Sequence, residues 1–109
     1  GRAEISGNTF IGMGAKQGNA VWVRENATAT ITGNSFTGYR TAVNAAKATV
    51  TIIGNTAKQF HAAAFVVKDS QNPAHIYGNS GISSDPNANL VEVNGASGVV
   101  GQNVLTKQQ

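Results

Sequence analysis

Apolar and polar residues alternate along much of this chain, in short bursts that come round about every two dozen residues. Around Ile31 the order is Thr28-Ala29-Thr30-Ile31-Thr32, and around Ile52 it is Thr49-Val50-Thr51-Ile52. Successive side chains of a strand point to opposite sides. Ala29, Ile31, Val50 and Ile52 therefore face inward, and the Thr-x-Thr positions face outward. β-Branched residues dominate these bursts, and a helical period does not fit them. The pattern predicts half-buried strands.

The bursts belong to a repeat. Four segments align without gaps: Ile5-Ser6-Gly7-Asn8-Thr9-Phe10, Ile31-Thr32-Gly33-Asn34-Ser35-Phe36, Ile52-Ile53-Gly54-Asn55-Thr56-Ala57 and Ile76-Tyr77-Gly78-Asn79-Ser80-Gly81. A degraded fifth copy is Val99-Val100-Gly101-Gln102-Asn103. From Gly7 through Gly33, Gly54 and Gly78 to Gly101, the steps are 26, 21, 24 and 23 residues. Between copies lies a second β-rich stretch: Ala20-Val21-Trp22-Val23, Thr41-Ala42-Val43-Asn44-Ala45, Ala63-Ala64-Phe65-Val66-Val67 and Leu90-Val91-Glu92-Val93. Each unit thus reads as strand, turn, strand, loop, with length differences absorbed in the loops.

Leucine-rich repeats share this period but need several leucines per unit, and this chain has only Leu90 and Leu105. Helical repeats need long amphipathic helices, for which there is no pattern. What remains is an all-β, single-stranded, right-handed parallel β-helix of about four to five coils. It is expected over residues 1–105, with residues 106–109 as a polar tail. Equivalent residues of neighbouring coils then lie about 4.8 Å apart. Ile5, Ile31, Ile52 and Ile76 form one internal stack, and Phe10 and Phe36 begin another. Asn8, Asn34, Asn55 and Asn79 form a ladder at the bend, because asparagine tolerates the left-handed backbone of a sharp turn and its amide can bond along the stack.

Composition narrows the function. Only 12% of residues are charged against 40% hydrophobic, so Asn, Thr, Ser and Gln must cover the surface. The net charge is +3, but Arg2, Lys16, Arg24, Arg40, Lys47, Lys58, Lys68 and Lys107 are scattered, which argues against nucleic-acid binding. Cysteine is absent, which removes disulfide frameworks and thiolate metal sites. No apolar run approaches the ~20 residues of a membrane helix, so no membrane partner is expected. The chain opens at Gly1-Arg2 almost directly into the repeat, as expected of a processed product or part of a longer solenoid.

The units I-x-G-N-[TS]-F followed by A-V-x-V resemble the parallel β-helix repeats of the pectate-lyase-like superfamily, over roughly Ala3 to Asn103. That group includes polysaccharide lyases, polygalacturonase-type hydrolases, alginate epimerases and phage tailspikes. The resemblance implies a polysaccharide-binding or polysaccharide-degrading domain of an extracellular or periplasmic protein. A structural or host-recognition module of a tailspike or adhesin, at a virion surface and without catalysis in this segment, is the other reading. No catalytic motif of those enzymes matches residue by residue, and none is carried over.

The candidate chemistry follows from residue types. Hydrolysis of a glycoside needs two facing carboxyl groups, and the acids are Glu4, Glu25, Asp69, Asp85 and Glu92, with Asp69 and Asp85 in turn sequences. Proton abstraction beside a uronic carboxylate needs a base and a cation, and the catalytic candidates are His75, Lys68 and Asp69. Tyr39, Arg40, Lys58, His61, His75 and Tyr77 are expected on one surface able to grip an anionic sugar chain. His75 and Tyr77 flank the inward Ile76 and so point outward. Lys58 and His61 are placed in the loop before the next strand. Trp22 also points outward, with Arg24 on the same face, and an indole beside a cation suits the apolar face of a sugar ring. Trp22, Arg24, Tyr39, Arg40, His61 and Tyr77 are therefore the candidate substrate-binding residues.

No metal-ligand cluster is visible, and no cofactor is evident; calcium between carboxylates of adjacent coils is the one cation left open. Gly12-Met13-Gly14-Ala15-Lys16-Gln17-Gly18 precedes a strand and lacks the helix of a phosphate cradle, so it reads as a loop. The outward Thr ranks cover two coils only, too few for an ice-binding array. Coils at the two ends of a short solenoid leave strand edges and apolar discs uncovered. Further coils of a parent chain or a homo-oligomer, such as a tailspike-like trimer, are the expected protein partners.

Overall fold

The computed structural model describes residues 1–14, 18–70 and 72–108, and no helix occurs among them. Each coil contributes three strands. The first has β1 (Arg2–Ser6), β2 (Thr9–Ile11) and β3 (Asn19–Val23). The second has β4 (Thr28–Thr32), β5 (Ser35–Thr37) and β6 (Thr41–Ala46), and the third β7 (Thr49–Ile53), β8 (Thr56–Lys58) and β9 (Ala63–Lys68). The fourth has β10 (Ala74–Tyr77), β11 (Ser80–Ser83) and β12 (Asn89–Asn94), and a fifth begins with β13 (Gly98–Gly101) and β14 (Val104–Lys107). Sheet A is β1-β4-β7-β10-β13, sheet B is β2-β5-β8-β11-β14, and sheet C is β3-β6-β9-β12. Every pairing is parallel. The chain is a parallel β-solenoid of about four turns.

Register places the expected stack where alternation put it. Ile5, Ile31, Ile52 and Ile76 pair in succession, and Val100 continues the column. Ile31, Ile52 and Ile76 are fully buried, while the Thr-x-Thr positions of β4 and β7 are half-buried on the outside. Phe10 stacks on Phe36 with ring centroids 4.9 Å apart, and Phe65 meets Phe36 edge-on at 6.3 Å. The aromatic column then gives way to Ala57 and Gly81. A Cβ on Gly81 would lie 2.6 Å from Leu90 Cδ1 and 3.1 Å from Phe60 Cε1, so these small residues leave the volume that Phe60 and Leu90 fill. In sheet C, both members of Ala42-Val43 and of Ala64-Phe65 join the core. The alternation slips by one residue at the start of that sheet.

The asparagine ladder holds the A–B corner. The backbone N–H of Asn8, Asn34, Asn55 and Asn79 each donates to the Oδ1 of the next asparagine, at 2.8, 2.9, 2.8 and 3.1 Å. The Nδ2 groups of Asn34, Asn55, Asn79 and Asn103 donate to the carbonyls of Ile5, Ile31, Ile52 and Ile76 at 2.9–3.0 Å. Asn34, Asn55 and Asn79 are buried, and none of their amide groups lacks a partner. These bonds satisfy corner amides that neither strand can reach.

Two expectations change at the carboxyl-terminal end. The fifth copy is offset by one residue: Val100 pairs with Ile76 and Asn103 bonds Asn79, so Gln102, not Gly101, stands at the glycine position. The last step is then 24 residues. Gln102 takes the left-handed backbone, with φ 53°, that Gly7, Gly33, Gly54 and Gly78 take in earlier coils. A ladder bond available to Asn103 outweighs a glycine match. The polar tail is also shorter than expected, because Thr106 and Lys107 belong to β14. Lys107 Nζ donates to the carbonyls of Asp85 and Ala88 at 2.8 and 2.7 Å. Of the glycine-rich loop, Ala15, Lys16 and Gln17 lie outside the described residues.

Two substitutions test the corner. Asn55→Ala removes the acceptor of the Asn34 amides and the donor to Ile31, and should cost about 2–4 kcal/mol in urea unfolding, since each buried polar group left unpaired costs ~1–3 kcal/mol. A loss below ~1 kcal/mol would show the ladder to be incidental. Gln102→Gly relieves a left-handed backbone and should raise stability by ~1 kcal/mol. Unchanged or lowered stability would show that the corner tolerates a side chain there at no cost.

Candidate functional site

A groove of about 360 Å³ runs over the outer face of sheet C. It arises from what alternation turns outward on four successive coils. Asn19 comes from the first coil, Thr41 and Asn44 from the second, Ala63, Val66 and Lys68 from the third, and Glu92 from the fourth. In register, Trp22, Asn44, Val66 and Glu92 form one outward column, and Ala46, Lys68 and Asn94 lie in another. Val66, Thr41 and Ala63 are nearly buried and make a low floor. Arg40, at the B–C corner, and Lys68, at the far end of β9, supply cations to the lining. With strands ~4.8 Å apart, four coils give a groove ~14 Å long, parallel to the solenoid axis.

The chemistry of the lining is polar and mixed in charge. Asn44 Nδ2 lies 3.5 Å from Asn19 Oδ1, the long limit of a hydrogen bond, so these amides have capacity left for a ligand. Glu92 is the one carboxylate of the lining. Among the described residues, Arg40, Lys68 and Glu92 enter no ion pair. At the first coil Trp22 is 59% exposed, and the Arg24 guanidinium sits 4.8 Å from its ring centroid. This is a cation–π contact, and it places the pair at the end of the column that borders the groove.

Sequence reasoning named some of these residues and missed others. Trp22 and Lys68, on strands of sheet C, and Arg24 and Arg40, which flank its strands, share the sheet C side. Asn19, Thr41, Asn44 and Glu92 were not singled out for a site, because only cross-coil register shows that they meet. The single surface expected from Tyr39 to Tyr77 divides in two. His75 and Tyr77 lie on the outer face of sheet A, beside Val99 and Gly101, and Tyr39, Arg40, Lys58 and His61 lie at or near the B–C corner. Lys58 closes β8 and is not in a loop. Tyr39 is half-buried, with its ring against Gly12.

His61 and Asp69 have structural surroundings. His61 Nδ1 is sealed from solvent and lies 3.5 Å from Asp85 Oδ2, without a well-formed hydrogen bond. Asp85 Oδ1 accepts from the Asn87 amide at 2.9 Å. That bond, with smaller help from His61 and the Ala62 amide, holds the Asp85 carboxyl below the usual carboxylate range, against an opposing desolvation effect. Asp69 takes a left-handed φ of 51° at the C–A corner, and its amide donates to the Asn94 carbonyl at 2.8 Å. Among the described residues, no three His, Asp or Glu side chains lie close enough to hold a metal ion. Compared with protein-family models, with curated proteins and with solved structures, the chain finds no match.

Proposed function

We propose that this solenoid binds an extended polysaccharide, laid across the coils in the sheet C groove. The observation that carries the reading is the groove itself: Arg40 and Lys68, in no ion pair among the described residues, beside a floor of small side chains, with Asn19, Thr41 and Asn44 able to bond sugar hydroxyls. Trp22 extends the same outward column as an exposed aromatic face. Binding is favoured over hydrolysis, because glycoside hydrolysis needs two facing carboxyl groups and Glu92 is the one carboxylate among the described lining residues. The resemblance of the I-x-G-N units to β-helix repeats points to the same ligand class, and with it to an extracellular, periplasmic or virion-surface setting.

A second reading, a structural or host-recognition module, is supported by a different face. The middle coils of sheet A present Thr28, Thr30, Thr32, Thr49, Thr51 and Ile53 outward without a charge. Depletion of charge is common at the centre of protein–protein interfaces. Sedimentation as a trimer, with no glycan bound, would favour that module.

Calorimetric titration with alginate, pectate and capsular polysaccharides separates these readings. At least one anionic glycan should bind, and Lys68→Ala and Arg40→Ala should each weaken it about tenfold, the effect of losing one charge-assisted contact. His75→Ala, on another face, should leave affinity unchanged. Silence across the panel would contradict the proposal. Release of unsaturated uronate or of new reducing ends would show degradation in place of binding alone.

A further inference from the structure

We propose that Glu92 makes the groove selective for a mixed glycan, with uronate at the Arg40 and Lys68 coils and an uncharged, hydroxyl-bearing sugar at the fourth coil. This rests on the groove being the glycan site. Among the described residues, charge along the sheet C face changes sign: Arg24 stands on the first coil, Arg40 enters the second, Lys68 closes the third strand, and Glu92 is the one charged residue of the fourth strand, with Asp85 and the Lys107 ammonium at that coil's B–C corner. Glu92 pairs in register with Val66, and Lys68 lies two residues along β9 on the same face. Measured along the groove, the carboxylate therefore sits one coil, ~4.8 Å, from Lys68 and two coils from Arg40.

A ligand lying along the axis presents consecutive units to consecutive coils. A negative unit held ~5 Å from Glu92 loses about fourfold in affinity at the dielectric constant of water, and more where solvent is displaced. A neutral unit meets no such penalty, and its hydroxyls can donate to the Glu92 oxygens. Glu92 is half-buried, between the half-buried Val91 and Val93 of its own strand. Its backbone is fixed by pairing with β9, and its side chain lines the groove. A uniformly anionic chain is consequently disfavoured relative to one in which two charged sugars are followed by a neutral one.

The test compares two hexasaccharides at one salt concentration by calorimetry, a homopolymer of galacturonate and a mixed chain in which two galacturonates are followed by one galactose. The wild-type protein should bind the mixed chain at least about fourfold more tightly. Glu92→Gln keeps the side chain's shape and an acceptor oxygen while removing the charge. It should tighten the homopolymer by about the same factor and change the mixed chain by less than about twofold. Equal affinities for both chains, or a Glu92→Gln change that is the same for both, would overturn the selectivity and leave the glycan reading intact. Failure of both chains to bind would overturn the two together.

Discussion

The buried side-chain amide at the A–B corner is the constraint on which the other features depend. A solenoid must turn sharply at the same place in every coil, and each turn brings backbone N–H and C=O groups out of strand pairing. Buried without partners, such groups would cost more than the neighbouring apolar contacts return. Asn34, Asn55 and Asn79 solve this by bonding in two directions. Each Oδ1 accepts from the preceding coil, and each Nδ2 reaches the carbonyl of a stacked isoleucine there. One side chain therefore fixes the bend, the coil-to-coil spacing and the position of the inward isoleucine at once.

From that fixed corner the outer faces follow. Once Ile31 and Ile52 point in, Thr28, Thr30, Thr49 and Thr51 must point out, and their pairs lie side by side in register. On sheet C the alternation slips at Ala42-Val43 and Ala64-Phe65, where two consecutive residues enter the core. Beyond the slip, Asn44 and Val66 face outward together and the longer Lys68 follows. A low strip bounded by Arg40 and Lys68 is the result. The groove is thus a product of backbone register and side-chain length on sheet C, edged by Gly18, Arg40 and Ala62 of the B–C corner.

Much of the fold was legible because its signals are local and recur. The I-x-G-N unit names an inward residue, a bend and a ladder rung within four positions, and four copies agree. The fifth copy is ambiguous in sequence because its glycine and its asparagine imply different registers, and the ladder decides the register through Asn103. The site was legible only in part. Trp22 and Arg24 are legible as one pair because they are two residues apart at the end of one strand, and the Arg24 guanidinium does lie over the indole. Glu92 and Asn19 were not, because no spacing along the chain announces that coils one and four border one groove. Tyr77 and Tyr39 were grouped by residue type, whereas a corner of the solenoid assigns them to different faces.

The most direct test of the corner constraint is hydrogen exchange of the asparagine side-chain amides, followed by nuclear magnetic resonance. The Nδ2 protons of Asn34, Asn55 and Asn79 should be strongly protected and exchange on the timescale of the backbone amides of the central strands, because both sets open only when coils separate. The same protons of the exposed Asn87 and Asn94 should exchange at the rate of a free amide. Free exchange at Asn34, Asn55 and Asn79, beside protected strand amides, would contradict the account.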